Sequence, residues 1–373
     1  MRGTHLVPES LYQRWADVLV DYSTEVKTGD RVAIAGSVAA EPLLRAIYRA
    51  VLTRGAQAVL TPSFTEAQTD LLGCGSDDQL RFISPLERWS REEANVTIDV
   101  LASTNTRALS AIDPTRQAVW SQARAELREM GMQRAARGEL RWALTIFPTA
   151  AHAQDADMAT DEFAGFLERA CMLDRPDPVA AWRDLSARQA QMIDWLQTRG
   201  DMHITAPGTD LRLSVSGRTW VNSDGKRNFP SGEVFTGPVE DSAEGHIHFT
   251  YPVVTQGREI TDIRLRFAAG VVVDASASKN EAFLIATLDT DPGARRLGEF
   301  AFGTNDGIDR FTKNILLDEK IGGTIHMALG SGYPETGSSN RSAIHWDMIC
   351  DLRAGGEATA DGETVLRDGC YLI

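Results

Sequence analysis

The pattern of secondary structure changes once along the 373-residue chain, and this change most constrains the fold. Up to about Gly200, short apolar runs alternate with stretches of helical periodicity, which predicts a sheet covered by helices. Beyond that point, short alternating runs are separated by Gly, Asn, Asp and Pro, a pattern typical of antiparallel strands and hairpins. We therefore predict two domains, residues 1–200 and 201–373, as the chain length also suggests.

The first domain contains a strand–helix–strand unit close to its beginning. RVAIAG (31–36) reads as a strand, Glu41–Arg54 as a helix that Gly55 ends, and residues 57–61 as a second strand. Two strands joined through a helix are expected to be parallel, with a right-handed connection. The same alternation predicts a helix over 10–26, strands at 97–103 and 140–148, and helices at 114–136, 161–171 and 177–197. The prediction is an α/β domain with a mostly parallel sheet.

This domain lacks the motifs of a nucleotide site. The first strand is followed by AGSVAAEP, which is not GxGxxG, and the chain has no Walker A pattern. We therefore expect residues 1–200 to be a scaffold without a cofactor.

The second domain is predicted to be mainly antiparallel β, of the α+β class, and to carry a metal site. Its predicted strands lie at 202–207, 211–216, 247–254, 260–270 and 271–277, with a helix at 280–287.

Charge and cysteine content narrow the function classes. The formal net charge of −14 argues against nucleic acid or an anionic membrane as partner, because phosphates would be repelled. The four cysteines form no CxxC pair, so they are read as free thiols of a reducing compartment. No apolar run approaches the length of a membrane span, and we expect a cytoplasmic protein.

The stretch HMALGSGYPETGSSNRSAIHWD carries three candidate metal ligands, His326, His345 and Asp347. His345 and Asp347 lie two positions apart in the sequence, so on an extended strand both side chains point to one face, where they could share a cation. Trp346 would then point the other way. The run between the histidines, rich in Gly, Ser and Asn, reads as a loop.

Further acidic residues of the second domain extend this candidate site. Glu233 follows a Pro-Ser-Gly turn, Glu299 lies beside the apolar run FAF, and Glu319 precedes the strand of His326. Together these carboxylates and imidazoles suit two divalent ions, and ligands without sulfur favour Zn, Co or Mn. A carboxylate beside a shared water could act as general base, and Tyr333 is the best-placed phenol to stabilise an oxyanion.

The motifs NFPSGEVFTGP, LGEFAFGTN, LLDEKIGGTIHMALG, GYPETG and SAIHWDMI, in this order, resemble those of the thermophilic metalloaminopeptidases, the aminopeptidase T, S and PepS group. The resemblance implies a dinuclear exopeptidase, usually a homodimer, that removes N-terminal residues from peptides. It also implies roles for individual residues. Glu299 would bridge the metals or act as general base, and Tyr333 would be the catalytic tyrosine. The implied metal ligands are Glu233, Glu299, Glu319, His326, His345 and Asp347.

Other functions remain open at this stage. The 2,5-dihydroxypyridine dioxygenases are similar to the same family and use a single Fe(II) held by two histidines and one carboxylate, the facial triad. Here His326, His345 and Asp347 could hold such an ion. The substrate could also be a small non-peptide amide, or the chain could be a binding protein whose ligands have decayed. Whether His246 and His248, which alternate in GHIHF, form a second metal pair is also open.

Overall fold

The computed structural model describes residues 9–255 and 258–373. These residues form two compact units. Unit 1 extends to Ala181 and includes Gly225–Pro230, and unit 2 comprises Trp182–Asp224 and Ser231–Ile373. The assignment of residues 1–200 as scaffold and 201–373 as catalytic domain stays a prediction.

Unit 1 contains a parallel sheet with the strand order β2-β1-β3-β4-β8. Val32 and Ile34 of β1 and Val96 and Ile98 of β3 are fully buried, because helices cover the faces of a parallel sheet. The predicted α/β class is confirmed. The strands are β1 (Arg31–Ser37), β2 (Gln57–Ser63), β3 (Val96–Leu101), β4 (Arg141–Ile146) and β8 (Asn228–Phe229).

Two of the helices predicted for this part of the chain are interrupted in the structure. The first ends at Val18 and continues as a π-helix over Leu19–Ser23, and the helix predicted over 114–136 is divided at Arg124. The α-helices are α1 (Glu9–Val18), α2 (Glu41–Thr53), α3 (Thr65–Cys74), α4 (Asp77–Arg81), α5 (Pro85–Glu92), α6 (Pro114–Ala123), α7 (Ala125–Ala136), α8 (Ala150–Asp155), α9 (Thr160–Ala170) and α10 (Pro178–Leu196).

Unit 2 is built from antiparallel sheets, as predicted. An eight-stranded sheet has the order β14-β13-β10-β6-β5-β18-β19-β20, a five-stranded sheet has the order β17-β16-β15-β9-β7, and β11 pairs with β12. The strands are β5 (Asp201–Ala206), β6 (Thr209–Ser214), β7 (Val221–Ser223), β9 (Glu233–Thr236), β10 (Glu244–Phe249), β11 (Val253–Thr255), β12 (Arg258–Ile260), β13 (Ile263–Ala268), β14 (Val271–Ser276), β15 (Leu297–Gly303), β16 (Thr324–Gly330), β17 (His345–Asp351), β18 (Glu357–Ala360), β19 (Glu363–Arg367) and β20 (Cys370–Tyr371).

Two predicted strands of unit 2 are each two strands. The run 247–254 is interrupted before Val253, where Pro252 cannot donate to a ladder. The run 260–270 breaks at Asp262, whose φ of 55° is incompatible with a strand. Two short helices, α11 (Glu281–Leu288) and α12 (Ile315–Asp318), complete the unit.

The apolar core of unit 2 draws on both large sheets. Ile204 and Leu211 of the eight-stranded sheet and Phe300, Phe302 and Met327 of the five-stranded sheet belong to one buried cluster. Burial of side chains this large supplies most of the stabilisation of such a unit. Within the described residues, no helix has the length and apolarity that crossing a membrane requires.

Candidate metal centre

The register of the five-stranded sheet brings the predicted ligands to one of its faces. Glu299 of β15 lies opposite Ala328 of β16, and Ala328 lies opposite Asp347 of β17. Directly paired residues share a face, and so do residues two apart on one strand. His326 and His345 therefore join Glu299 and Asp347 on this face.

Glu233 reaches the same face from β9. It pairs with Gly303 of β15, four residues after Glu299, so both glutamates point to one side of the sheet. Its backbone carbonyl accepts a hydrogen bond of 2.6 Å from the buried Gln189 side chain. This contact fixes the start of β9, and with it the Glu233 carboxylate.

The two faces of the sheet differ in a way that makes room for the polar cluster. Ala301, Ala328 and Gly303 lie between the ligands, so the polar face carries small residues there. On the other face Phe300 and Phe302 pack against the ring of Trp220. The strands are thus anchored by apolar packing on one side while ionisable side chains gather on the other.

Two further residues come from the segment before β16. Glu319 follows α12, which Asn314 caps by accepting a hydrogen bond from the Leu316 N–H at 3.1 Å. Lys320 is fully buried, and its ammonium contacts the Glu319 carboxylate. The same ammonium lies 3.6 Å from Oε1 of Glu233.

Tyr333 lies in the loop after β16, directly before the short 3₁₀ helix Pro334–Thr336. Its ring centroid is 5.0 Å from that of His345 and 5.5 Å from that of Phe235. The ring is 38 % exposed, so the tyrosine flanks the cluster without sealing it.

The imidazole nitrogens lie among the carboxylate oxygens. Nε2 of His326 is 3.4 Å from Glu299 and 3.7 Å from Glu233. Nε2 of His345 is 3.2 Å from Glu299 and 3.4 Å from Asp347. Glu299 therefore stands between the two histidines, which is the position that a bridging ligand or a shared base requires.

Backbone carbonyls orient both rings in the same sense. Nδ1 of His326 lies 2.9 Å from the carbonyl of Glu319, and Nδ1 of His345 lies 2.7 Å from the carbonyl of Ser331. A carbonyl only accepts, so each Nδ1 carries the donated proton. Nε2 of each ring is then directed to the carboxylates, and this arrangement is common for histidines that bind metals.

The electrostatics of the cluster favour added positive charge. Although burial lowers the pKa of His326, the contact with Glu299 and the nearby carboxylates raise it to about 10. Burial also lowers the pKa of His345, but Asp347 and Glu299 raise it to about 11. Without another cation, the two imidazoles are thus held protonated by their surroundings.

Four carboxylates raise the pKa values of the two histidines. Burial raises the pKa of Glu319 to about 8 although Lys320 lowers it, and the charges of Glu233 and Asp347 add to the rise. Burial would also raise the pKa of Glu299, yet its contacts with His326 and His345 hold it below the ordinary value. Burial would raise the pKa of Asp347 as well, but His345, His326 and Lys320 together lower it.

Lys320 and Tyr333 respond to the same negative charge. Burial alone would lower the pKa of Lys320, but Glu233 and Glu319 raise it, so the lysine carries its proton at neutral pH. Burial and the charge of Glu299 raise the pKa of Tyr333. Its hydroxyl is therefore a neutral hydrogen-bond donor.

The residues present fit a divalent metal. Oε2 of Glu233 and Oδ1 of Asp347 are buried and make no hydrogen bond within the described residues, and a cation would satisfy both. There are two groups of three residues, and within each group the possible ligand atoms lie within 4.8 Å of one another. We call Glu299, His326 and Asp347 the sheet group, and Glu233, Glu319 and His326 the loop group.

All the predicted site residues thus lie in one neighbourhood of unit 2, and Lys320 was missed. The lysine follows Glu319 directly in the motif LLDEKIGG, but its burial depends on tertiary packing that no local pattern indicates. His246 and His248 are not part of either metal group. His248 instead pairs with Asp262 at 2.7 Å.

A cavity of about 140 Å³ adjoins the cluster along the edge of β17. His345 and Asp347 form part of its wall, and Val254, Phe311 and Ile349 contribute apolar surface. A small apolar side chain could therefore lie beside the cluster.

Comparison with known proteins supports the resemblance. Aminopeptidase 2 of Geobacillus stearothermophilus is 28% identical to this chain, in an alignment that covers 97% of each of the two chains. Aminopeptidase PepS of Streptococcus thermophilus is 31% identical over 56% of each chain.

Solved structures are similar in fold. Wild-type AmpT from Thermus thermophilus matches with a TM-score of 0.85 at 22% identity, covering 98% of this chain and all of that one. The 2,5-dihydroxypyridine dioxygenase from Pseudomonas putida KT2440 matches with a TM-score of 0.57 at 14% identity, covering 98% of each chain.

The family that the sequence motifs indicated is confirmed. The model of the thermophilic metalloprotease (M29) family matches residues 9–371, which is nearly the whole chain. This protein therefore belongs to the thermophilic metalloprotease (M29) family.

Proposed function

We propose that this protein is a metal-dependent aminopeptidase that hydrolyses the N-terminal residue from peptides, with unit 2 as its catalytic part. The observation that carries the proposal is the face of β9, β15, β16 and β17. Four carboxylates and two imidazoles converge there, and two of the buried carboxylate oxygens make no hydrogen bond within the described residues. Family membership supports the same reaction class.

The metal positions follow from the two ligand groups. Divalent ions, Zn, Co or Mn, would be held by Glu299, His326 and Asp347, and at an adjacent position by Glu233, Glu319 and the shared His326. His345 completes the set from the mouth of the cluster. Ions bound there would lower the pKa of a water and polarise the peptide carbonyl.

The protein's own groups would move the protons. Glu299 is ionised, since the contacts with both histidines lower its pKa, so it can accept the proton of the attacking water as general base. Tyr333 keeps its proton because its pKa is raised. Its hydroxyl can donate a hydrogen bond to the carbonyl oxygen as negative charge grows there.

Substrate selection would use the edge of β17. The cavity beside His345 and Asp347 is small and partly apolar, so it suits the side chain of a single apolar N-terminal residue. We also propose a homodimer, from the family resemblance alone, and a cytoplasmic location, from four cysteines that form no disulfide.

The test uses the full chain stripped with a chelator and reloaded with Zn²⁺, Co²⁺ or Mn²⁺. We expect release of N-terminal residues from unblocked peptides, no cleavage of N-acetylated peptides, and no activity for Glu299→Gln. His248→Gln, which alters a histidine outside the cluster, should retain activity. If no peptide or aminoacyl amide is cleaved under any metal, the proposed function is wrong.

A second candidate function is a single-Fe(II) ring-cleaving dioxygenase. His326, His345 and Asp347 lie on one face of adjacent strands, and two histidines with one carboxylate can hold Fe(II) with open positions. The conversion of 2,5-dihydroxypyridine with oxygen uptake, by protein loaded anaerobically with Fe²⁺, would favour this function over the peptidase.

A further inference from the structure

Lys320 forms ion pairs with both carboxylates of the loop group. Its side chain is fully buried, its ammonium contacts Oε1 of Glu319, and Oε1 of Glu233 lies 3.6 Å away. These are two of the three residues of that group. Within the described residues, the carboxylates of the sheet group, Glu299 and Asp347, form ion pairs with histidines and with no lysine or arginine.

The charge balance gives this contact a consequence. Glu233, Glu299, Glu319 and Asp347 carry four negative charges when ionised, and Lys320 carries one positive charge, which leaves three. One divalent ion leaves one negative charge, which a protonated group can balance. A second divalent ion produces a net positive charge in a buried site, and that is costly.

The repulsion is also local. An ion bound at the loop group would share Glu233 and Glu319 with an ammonium that already lies against them. Like charges a few ångströms apart in a buried setting repel strongly, because little water screens them. The lysine has no other carboxylate partner within the described residues, so its displacement would leave a buried ammonium unpaired.

We propose that Lys320 serves as a built-in cation of the loop group, so that the chain holds one divalent metal tightly at the sheet group and a second only weakly. The inference rests on the proposed metal site, and it does not require that the substrate be a peptide. It adds a residue that tunes metal stoichiometry to those that bind the metal.

The experiment is a Zn²⁺ titration of the full chain after chelator treatment, by calorimetry and by elemental analysis following equilibrium dialysis. Wild-type protein should retain one Zn²⁺ per chain, with a second binding about 100-fold more weakly. Lys320→Met should strengthen the second event at least about 10-fold, while Lys320→Arg should keep the wild-type pattern. Lys279→Met, which removes an exposed lysine paired with Glu259, is the matched control.

A second variant decides the matter if Lys320→Met does not fold. Under the proposal, Glu319→Gln binds the same number of tightly held Zn²⁺ ions as wild-type protein, namely one, because Glu319 belongs to the loop group. If wild-type protein held both ions tightly, Glu319→Gln would hold one tight ion fewer than wild-type protein. Two tight ions of equal affinity in wild-type protein, or an unchanged second event in Lys320→Met, would overturn the inference.

The outcome is separable from the proposed activity. If the two Zn²⁺ ions bind with unequal, Lys320-dependent affinities but no peptide is cleaved, the peptidase function is refuted and the inference about Lys320 stands. Protein that cleaves peptides with two equally tight ions would do the reverse.

Discussion

Metal binding to this site should expel protons, and their number can be worked out from the structure. The pKa values of His326 and His345 are raised to about 10 and about 11 by the surrounding carboxylates. At pH 8 each imidazole of the metal-free protein is therefore about 99 % protonated or more. A metal ligand must be neutral at the coordinating nitrogen, and His345 contacts both carboxylates of the sheet group. If the first ion binds His345 together with His326, it should release about two protons per chain.

The sign of the pH dependence follows directly. Protons compete with the metal, so affinity rises with pH throughout the range below the raised pKa values. With two protons released, the association constant should increase about 100-fold per pH unit between pH 7 and 8.5. In the metal-free protein, the raised histidine pKa values contribute stability that is complete below about pH 6.5. This contribution is lost as the pH rises through 10 and 11.

Calorimetric titrations at pH 8 in buffers of different ionisation enthalpy measure the released protons. We expect about two for wild-type protein and about one each for His326→Gln and His345→Gln. His248→Gln should match wild type, because His248 pairs with Asp262 outside the cluster. Release close to zero in wild-type protein would show that the imidazoles are neutral before binding, and the electrostatic reasoning would then be refuted.

Three substitutions test other parts of the site. Tyr333→Phe should lower kcat about 100-fold while metal content stays constant, if its hydroxyl stabilises the oxyanion; equal kcat would rule the role out. Val254→Phe should raise KM about 10-fold for large N-terminal residues but not for alanine, because Val254 lines the cavity; a uniform change would contradict this. Gly298→Ala puts a Cβ 2.4 Å from the Gly330 carbonyl and 2.5 Å from that of Ser331, whereas Gly73→Ala meets nothing closer than 3.9 Å. The first alone should lower both Tm and metal affinity, at a cost of about 1–3 kcal/mol, and equal Tm values would count against the packing argument.

Local patterns were sufficient to predict the class of each part of the fold. The alternation of strands and helices before residue 200 predicted the parallel sheet, since each element carries its own periodicity. Three short helices between β2 and β3 were missed, because α3–α5 are at most ten residues long and such helices depend on tertiary contacts.

The segment around Glu233 shows why long-range pairing escaped prediction. Asn228 and Phe229 add a short parallel strand beside β4, in the sheet of unit 1. Only four residues later, Glu233 begins a strand of an antiparallel sheet in unit 2. No local signal distinguishes these two fates, because each strand is defined by partners far away in sequence.

The candidate site leaves a chemical signal in the sequence that strand pairing does not. A carboxylate beside an apolar run, such as Glu299 before FAF, is costly to bury without a partner, and its cost is visible in the sequence. The burial of Lys320 has no such signal, because a lysine after a short helix is ordinarily exposed. The acids and imidazoles of the candidate site could therefore be proposed from the sequence, while the buried lysine beside them could not.

The origin of the ligands also bears on how tightly each group can bind. The carboxylates of the sheet group, Glu299 and Asp347, are spaced by paired strands whose other face packs into the core. A metal that binds there would need little free energy to order its ligands. Glu319 of the loop group instead follows a four-residue helix, and its carboxylate is already paired with Lys320. Rigidity and charge thus act in the same direction, and both favour the sheet group as the first position to fill.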